Sequence, residues 1–163
     1  MFEVLAYVYD NYWDGEACPA LPTLQRTLGT VGFAPQEITT ALIWLEELKS
    51  AAGVLRTRHR DTTPATALTT ASVIPMTRVL TTSEHGRVGV AGWGFLAFLV
   101  SIGTLSRERL ELVMERAMAA PGDPLSVDDL KLIVLMVFWS LGQEPDALVL
   151  DELCDHRTDR LAH

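Results

Sequence analysis

The chain has 163 residues, of which 48% are apolar, and it carries a formal net charge of −8. That is material for one domain or two very small ones, and the apolar content excludes wholesale disorder. The acidic total (pI about 4.9) argues against a general nucleic-acid coat protein or a binder of anionic membranes, while leaving room for a local basic patch.

In chain order, Phe2 to Trp13 reads as a first helix, with Phe2, Leu5, Val8, Tyr9, Tyr12 and Trp13 on one face. Gly15 and Pro19 break it. Leu21, Leu24 and Leu28 mark a short second helix, ended by Gly29 and Gly32. Pro35 suits the first turn of a third helix, expected to run to about Ser50 with Ile38, Leu42, Leu45 and Leu48 inward and Gly53 as its stop.

Residues 54–80 change character. Val54–Arg60 and Val73–Leu80 are rich in Val, Ile, Leu, Thr and Arg and predict two strands, the second held to an edge by Pro75. Residues 61–72 between them are nearly all Thr, Ala, Pro and Ser and predict a mobile loop. Three helices with a Gly-containing turn, followed by two strands and a loop, is the order of a winged helix-turn-helix.

From Thr81, a helix cap, the chain returns to helix as far as Ser101. Ser106 caps the next helix, with Leu110, Val113, Met114 and Ala117 inward. Pro121, Gly122 and Pro124 separate it from a helix over Val127–Leu141, where Ser126 and Asp129 form a start like a capping box. This helix is apolar nearly all round and predicts the centre of the C-terminal half. A last helix is expected over about 146–155, through Leu148, Leu150 and Leu153. The expected fold is therefore mainly α. A winged-helix-like part with a two-stranded wing (residues 1–80) packs on a helical bundle (81–163).

The two cysteines, Cys18 and Cys154, lie far apart and form no disulfide framework, which fits a reducing compartment. Glu3 and Asp10 interrupt what would be a signal peptide, so the expectation is a cytoplasmic protein. The longest apolar run, Leu132–Trp139, is eight residues, against about 20 for a membrane span.

Several stretches, taken as a set, resemble one protein family. The chain opens with Met1-Phe2-Glu3-Val4-Leu5-Ala6-Tyr7-Val8-Tyr9-Asp10. Gly32-Phe33 is followed by Ile38 and by the run Ala41-Leu42-Ile43-Trp44-Leu45-Glu46-Glu47-Leu48. Later come Gly94 to Leu99, Leu112 to Arg116, and Asp129 to Val137. In this order and spacing they resemble the Smg family of proteobacteria over almost the whole chain, most weakly across residues 50–80. The resemblance brings no catalytic residues. It implies a neighbourhood, since members are often encoded beside a DNA-processing protein that handles incoming single-stranded DNA. The chain departs from the family pattern at Gly86, Gly89, Gly92 and Gly94, where relatives carry bulkier or charged residues.

The charge is uneven. Residues 1–48 hold Arg26 against seven acids, and residues 88–163 hold six cations against twelve acids. Residues 49–87 hold six cations against Asp61 and Glu84. On a strand, the alternating Arg56, Arg58 and Arg60 would share one face, and with Arg78 they form a candidate phosphate site. The alternative is that they solvate an edge strand or bind the protein's own acidic surface. The outward positions of the third helix include Glu37, Thr40, Glu47 and Trp44. Carboxylates there repel phosphates, so that face suits a protein partner better than DNA. Trp44 is either a partner anchor or core.

The glycines at 86, 89, 92 and 94 lack a phosphate-loop pattern; close helix packing is the favoured reading and a hinge the alternative. His59, His85, His156 and His163 show no metal-ligand spacing, and neither cysteine has a recognisable base. No metal, cofactor or catalytic residue is expected. The leading expectation is a non-catalytic interaction or adaptor protein, whose partner is another protein, with DNA processing as a possible setting. The alternative is a nucleic-acid-binding protein using the basic wing.

Overall fold

The computed structural model describes residues 1–12, 21–61, 78–122, 124–143 and Val149. Six helices occupy them: α1 (Phe2–Tyr12), α2 (Leu21–Val31), α3 (Pro35–Asp61), α4 (Thr82–Ser101), α5 (Arg107–Ala119) and α6 (Val127–Leu141). No strand occurs among the described residues.

The centre is α6. Ser126 caps it reciprocally: its hydroxyl accepts from Asp129 N–H at 3.1 Å, and its own N–H donates to the Asp129 carboxylate at 3.3 Å. Gly142 ends it in the left-handed conformation (φ 66°, ψ 33°), which glycine adopts at little steric cost. Between these caps, every residue from Leu130 to Phe138 is buried. A helix buried all round needs neighbours on every side, and α6 packs against α1, α3, α4 and α5. Even Lys131 is buried, its ammonium 6.0 Å from the centre of the Phe95 ring.

The N-terminal helices close one side of this core. α1 buries Val4, Leu5, Val8 and Tyr9; α2 buries Leu24 and Leu28. Tyr7 of α1 meets Phe33 edge-on, with ring centres 5.7 Å apart, and so ties α1 to the α2–α3 turn. In that turn Gly32 takes φ +102°. The expected inward face of α3, Ile38, Leu42, Leu45 and Leu48, is buried, and one core joins helices from both halves of the chain.

The wing is the main correction. Residues 54–60, expected as its first strand, are a continuation of α3, which does not stop at Gly53. One interior glycine costs a helix only about 1 kcal/mol relative to alanine. Leu55, Arg56, Arg58 and Arg60 are all good helix formers, so the hydrogen-bond ladder continues through it. Most of the expected second strand, the expected 61–72 loop beyond Asp61, and the expected helix over 146–155 except Val149 lie outside the described residues.

Of the four α4 glycines, Gly92 alone meets the close-packing expectation, and nothing stands near a Cβ at Gly86, Gly89 or Gly94. At Gly89 the backbone leaves the helix (φ 68°, ψ 174°), a conformation that is essentially glycine's alone. Three residues on, a Cβ at Gly92 would lie 3.1 Å from a Leu130 methyl of α6 and 2.9 Å from a Val88 methyl. Gly89 thus breaks the helix, and Gly92 lets its second half lie close on α6. Gly89→Ala should lower the unfolding free energy by about 1–3 kcal/mol, read from urea denaturation followed by circular dichroism. An unchanged midpoint would show that the break is relaxed by its neighbours.

Candidate interaction surfaces

The third-helix residues expected to face a partner form a row, Glu37, Thr40, Trp44 and Glu47, at helical spacing. Much of that row serves the protein's own packing. Glu37 takes the N-terminal ammonium of Met1 at 3.2 Å. The Thr40 hydroxyl is exposed and donates to the Gln36 carbonyl at 2.9 Å. Trp44 is only 3% exposed, and its indole N–H donates to the Arg116 carbonyl at 3.0 Å. Trp44 is therefore core, an anchor between α3 and α5 rather than towards a partner. Glu47 pairs with Arg116 at 2.8 Å.

Arg116 is the unexpected member of this group. Its side chain is 7% exposed, and its two terminal nitrogens reach Glu47 and Glu115 at 2.8 and 2.9 Å. Its Nε is buried without a partner. Its carbonyl also accepts from Trp44, so one residue joins α5 to α3 through both side chain and backbone. Removing the arginine would leave Glu47 without its partner at a half-closed edge.

The four candidate phosphate-binding arginines are divided. Arg56 is exposed on α3, and Arg58 and Arg60 follow it on the same helix. The helical turn replaces the expected single face: positions 56 and 60 share a side, while position 58 falls roughly opposite. Arg78 stands apart and is engaged. Its Nε and one terminal nitrogen donate to the two oxygens of Glu111 at 2.8 and 2.9 Å, and the same terminal nitrogen reaches Glu84 at 2.8 Å. This pairing, led by the Glu111 bond, raises the arginine's pKa further. Glu84 also closes the capping box of α4, accepting from Thr81 N–H at 2.8 Å. The backbone bond from Thr81, then the Arg78 bond, lowers the Glu84 pKa. Arg87 is likewise turned inward, donating to the carbonyls of Ala117 and Gly122.

A surface the residue-by-residue reading passed over lies on α4. Its outer side carries Val90 (75% exposed), Phe98 (50%) and, at its end, Ile102 (47%), with exposed Gly94 between them. These four positions are spaced by four and climb the helix on successive turns. The signal was present in the sequence: no charged residue occurs from Val88 to Ser106. Beside it α5 packs on α4 and exposes Glu108, Glu111 and Glu115 at helical spacing. Among the described residues, no three His, Cys, Asp or Glu side chains are grouped to hold a metal ion, and no helix is long and apolar enough to cross a membrane.

Because the Glu84 pKa is lowered on folding, its contribution to stability is complete above the ordinary glutamate range and is lost as pH falls through the folded value. Glu84→Gln should therefore lower the melting temperature at pH 7, with the gap to wild type closing below about pH 4. Melting curves from pH 7 to pH 3 measure it, and a gap that does not change with pH would exclude Glu84 as the titrating group.

Comparison with known proteins accords with the order of motifs along the chain. A family model described as "Protein of unknown function (DUF494)" matches residues 1–163. "Protein Smg homolog" of Methylibium petroleiphilum is 48% identical, that of Leptothrix cholodnii 45% and that of Bordetella pertussis 37%, each over the full length of both chains. No solved structure matches. With full-length matches to both the family model and these relatives, the chain belongs to the Smg family.

Proposed function

We propose that this chain is a non-catalytic interaction protein that docks an amphipathic helix of a partner protein along the outer face of α4. The observation that carries the reading is the uncharged line of Val90, Gly94, Phe98 and Ile102. Single exposed apolar residues are ordinary; a continuous line on one helix, in a stretch of nineteen uncharged residues, is a binding-surface pattern.

The local shape supports a helical partner. A Cβ at Gly94 meets nothing within 4 Å, so a notch lies between Val90 and Phe98 where a large apolar side chain can seat. Glu111 and Glu115 of the neighbouring α5 are held by Arg78 and Arg116, so the partner helix is matched to this face by its apolar side rather than by charge. Glu84, a carboxylate with a lowered pKa among the described residues, is spent on a helix cap and an ion pair, a structural role.

The test uses full-length protein with Val90→Glu and Phe98→Glu. Both positions are exposed, so stability should change by no more than about 0.5 kcal/mol each. Cross-linking in nuclease-treated extract should join wild type to a protein through an amphipathic helix. A synthetic peptide of that helix should bind wild type and not the variant. If the variant captures the same proteins, or if wild type sediments as a dimer that the variant splits, the partner-helix reading is wrong.

A further inference from the structure

A glycine in the interior of an exposed helix is unfavourable unless the fold needs it there. Two of the α4 glycines answer to such a need, Gly89 by its positive φ and Gly92 by the closeness of Leu130. Gly94 does not. It is exposed, its φ is not positive, and a Cβ there would meet nothing within 4 Å. Nothing inside the chain calls for a glycine at this position.

Three other helix glycines, Gly29, Gly53 and Gly86, also stand open without a positive φ. Their neighbours set Gly94 apart. Residues three and four positions away share a helical face, and around Gly94 these are Val90, Ala91, Ala97 and Phe98, all apolar. Around the other three the same positions include Arg26, Lys49 and Ser83 respectively. Gly94 is thus a gap in an apolar surface. Val90 and Phe98, on either side of it, are exposed. At a rise of about 1.5 Å per residue they stand about 12 Å apart along the helix, which leaves room between them for one large side chain.

The extent of the surface sets the kind of occupant. From Val90 to Ile102 the line is about 18 Å long, and three large apolar side chains stand out from it. A stable interface between two folded proteins takes roughly 800 Å² and roughly 20–30 residues from each. The α4 line is too small to hold a folded partner or a second copy of the chain by itself. It matches about three turns of a single helix.

We infer that Gly94 is the specificity-determining residue of the α4 docking face, admitting a partner helix whose central anchor is a leucine- or phenylalanine-sized side chain and disfavouring one whose anchor is small. The inference rests on the docking of a helix at this face. A large anchor fills the space left by the missing Cβ and touches Val90 on one side and Phe98 on the other. An alanine anchor leaves that space unfilled and forfeits those contacts. A side chain at position 94 reverses the order, because it competes with a large anchor for one volume.

The experiment is a selection followed by a binding measurement. A phage-displayed library of helical peptides about 15 residues long, varied along one apolar face, is panned on the full chain and on its Gly94→Leu variant. Leucine is a good helix former and has open space at this position, so the variant should melt at or above the temperature of wild type. Helices selected on wild type should carry leucine, phenylalanine or methionine at the central anchor. Those selected on Gly94→Leu should carry alanine, serine or glycine. Fluorescence anisotropy of a labelled peptide selected on wild type then measures the exchange. Replacing its anchor with alanine should weaken binding to wild type roughly 30-fold, and Gly94→Leu should prefer the alanine form. Two failures are distinct. If no helix is enriched, or if the enriched helices bind the chain carrying Val90→Glu and Phe98→Glu as well as wild type, the docking face is wrong and the role of Gly94 falls with it. If binding needs Val90 and Phe98 but wild type and Gly94→Leu prefer the same anchor, the docking face stands and Gly94 does not set its specificity.

Discussion

Everything in this fold depends on the burial of α6. Nine consecutive residues, Leu130 to Phe138, are withdrawn from water on all sides of one helix. At roughly 25 cal/mol per Å² of apolar surface, that burial is a major part of the stabilisation. It is available only when α1, α3, α4 and α5 surround the helix together. The fitted positions elsewhere follow from this need. Gly92 carries no side chain because α4 must come close to Leu130, and the α2–α3 turn must bring α3 back alongside α6. The caps at Ser126 and Gly142 satisfy the polar ends that such a buried rod would otherwise leave exposed to apolar neighbours.

A second layer of order comes from arginines. Arg78, Arg87 and Arg116 each turn donors inside the molecule, to carboxylates or to carbonyls at helix ends, although Arg116 Nε and one terminal nitrogen of Arg78 are buried without a partner. They join pieces that the apolar core reaches only at its rim: the segment before α4, the α5–α6 connection, and the seam between α3 and α5. The planar guanidinium suits this work, because it can satisfy several acceptors at once. Formal charge counted along the chain is thus a poor guide to charge presented outward. Within residues 49–87, Arg78 and Arg87 are turned to the protein, and Arg56 is open to solvent.

The helices were legible because their signals are local. Capping residues Thr81, Ser106 and Ser126 stand where the apolar period begins, and the inward faces of α3, α5 and α6 follow from spacing alone. The end of α3 was not legible. Gly53 looks like a stop, and a Val-, Leu- and Arg-containing stretch suits strand and helix about equally; what decides is whether a helix is already running into it. The buried state of Trp44 and the roles of Arg116 and Arg78 depend on partners 72, 69 and 33 residues away, and no local pattern encodes such distances. The α4 surface was written in the sequence as an absence of charge. The glycines in the same stretch carry a packing signal that overlies it.

The passage of α3 through Gly53 also has a kinetic consequence. Starting a helix is slow and unfavourable, whereas extending one adds a hydrogen bond for each residue fixed. The half of α3 held by Leu42, Leu45 and Leu48 supplies the start, so the half beyond Gly53 needs only to grow from it. A helix seeded in this way crosses Gly53 at the cost of one weak propagation step, with no second nucleation. The length of α3 is therefore set by where its packing begins and not by the glycine in its middle.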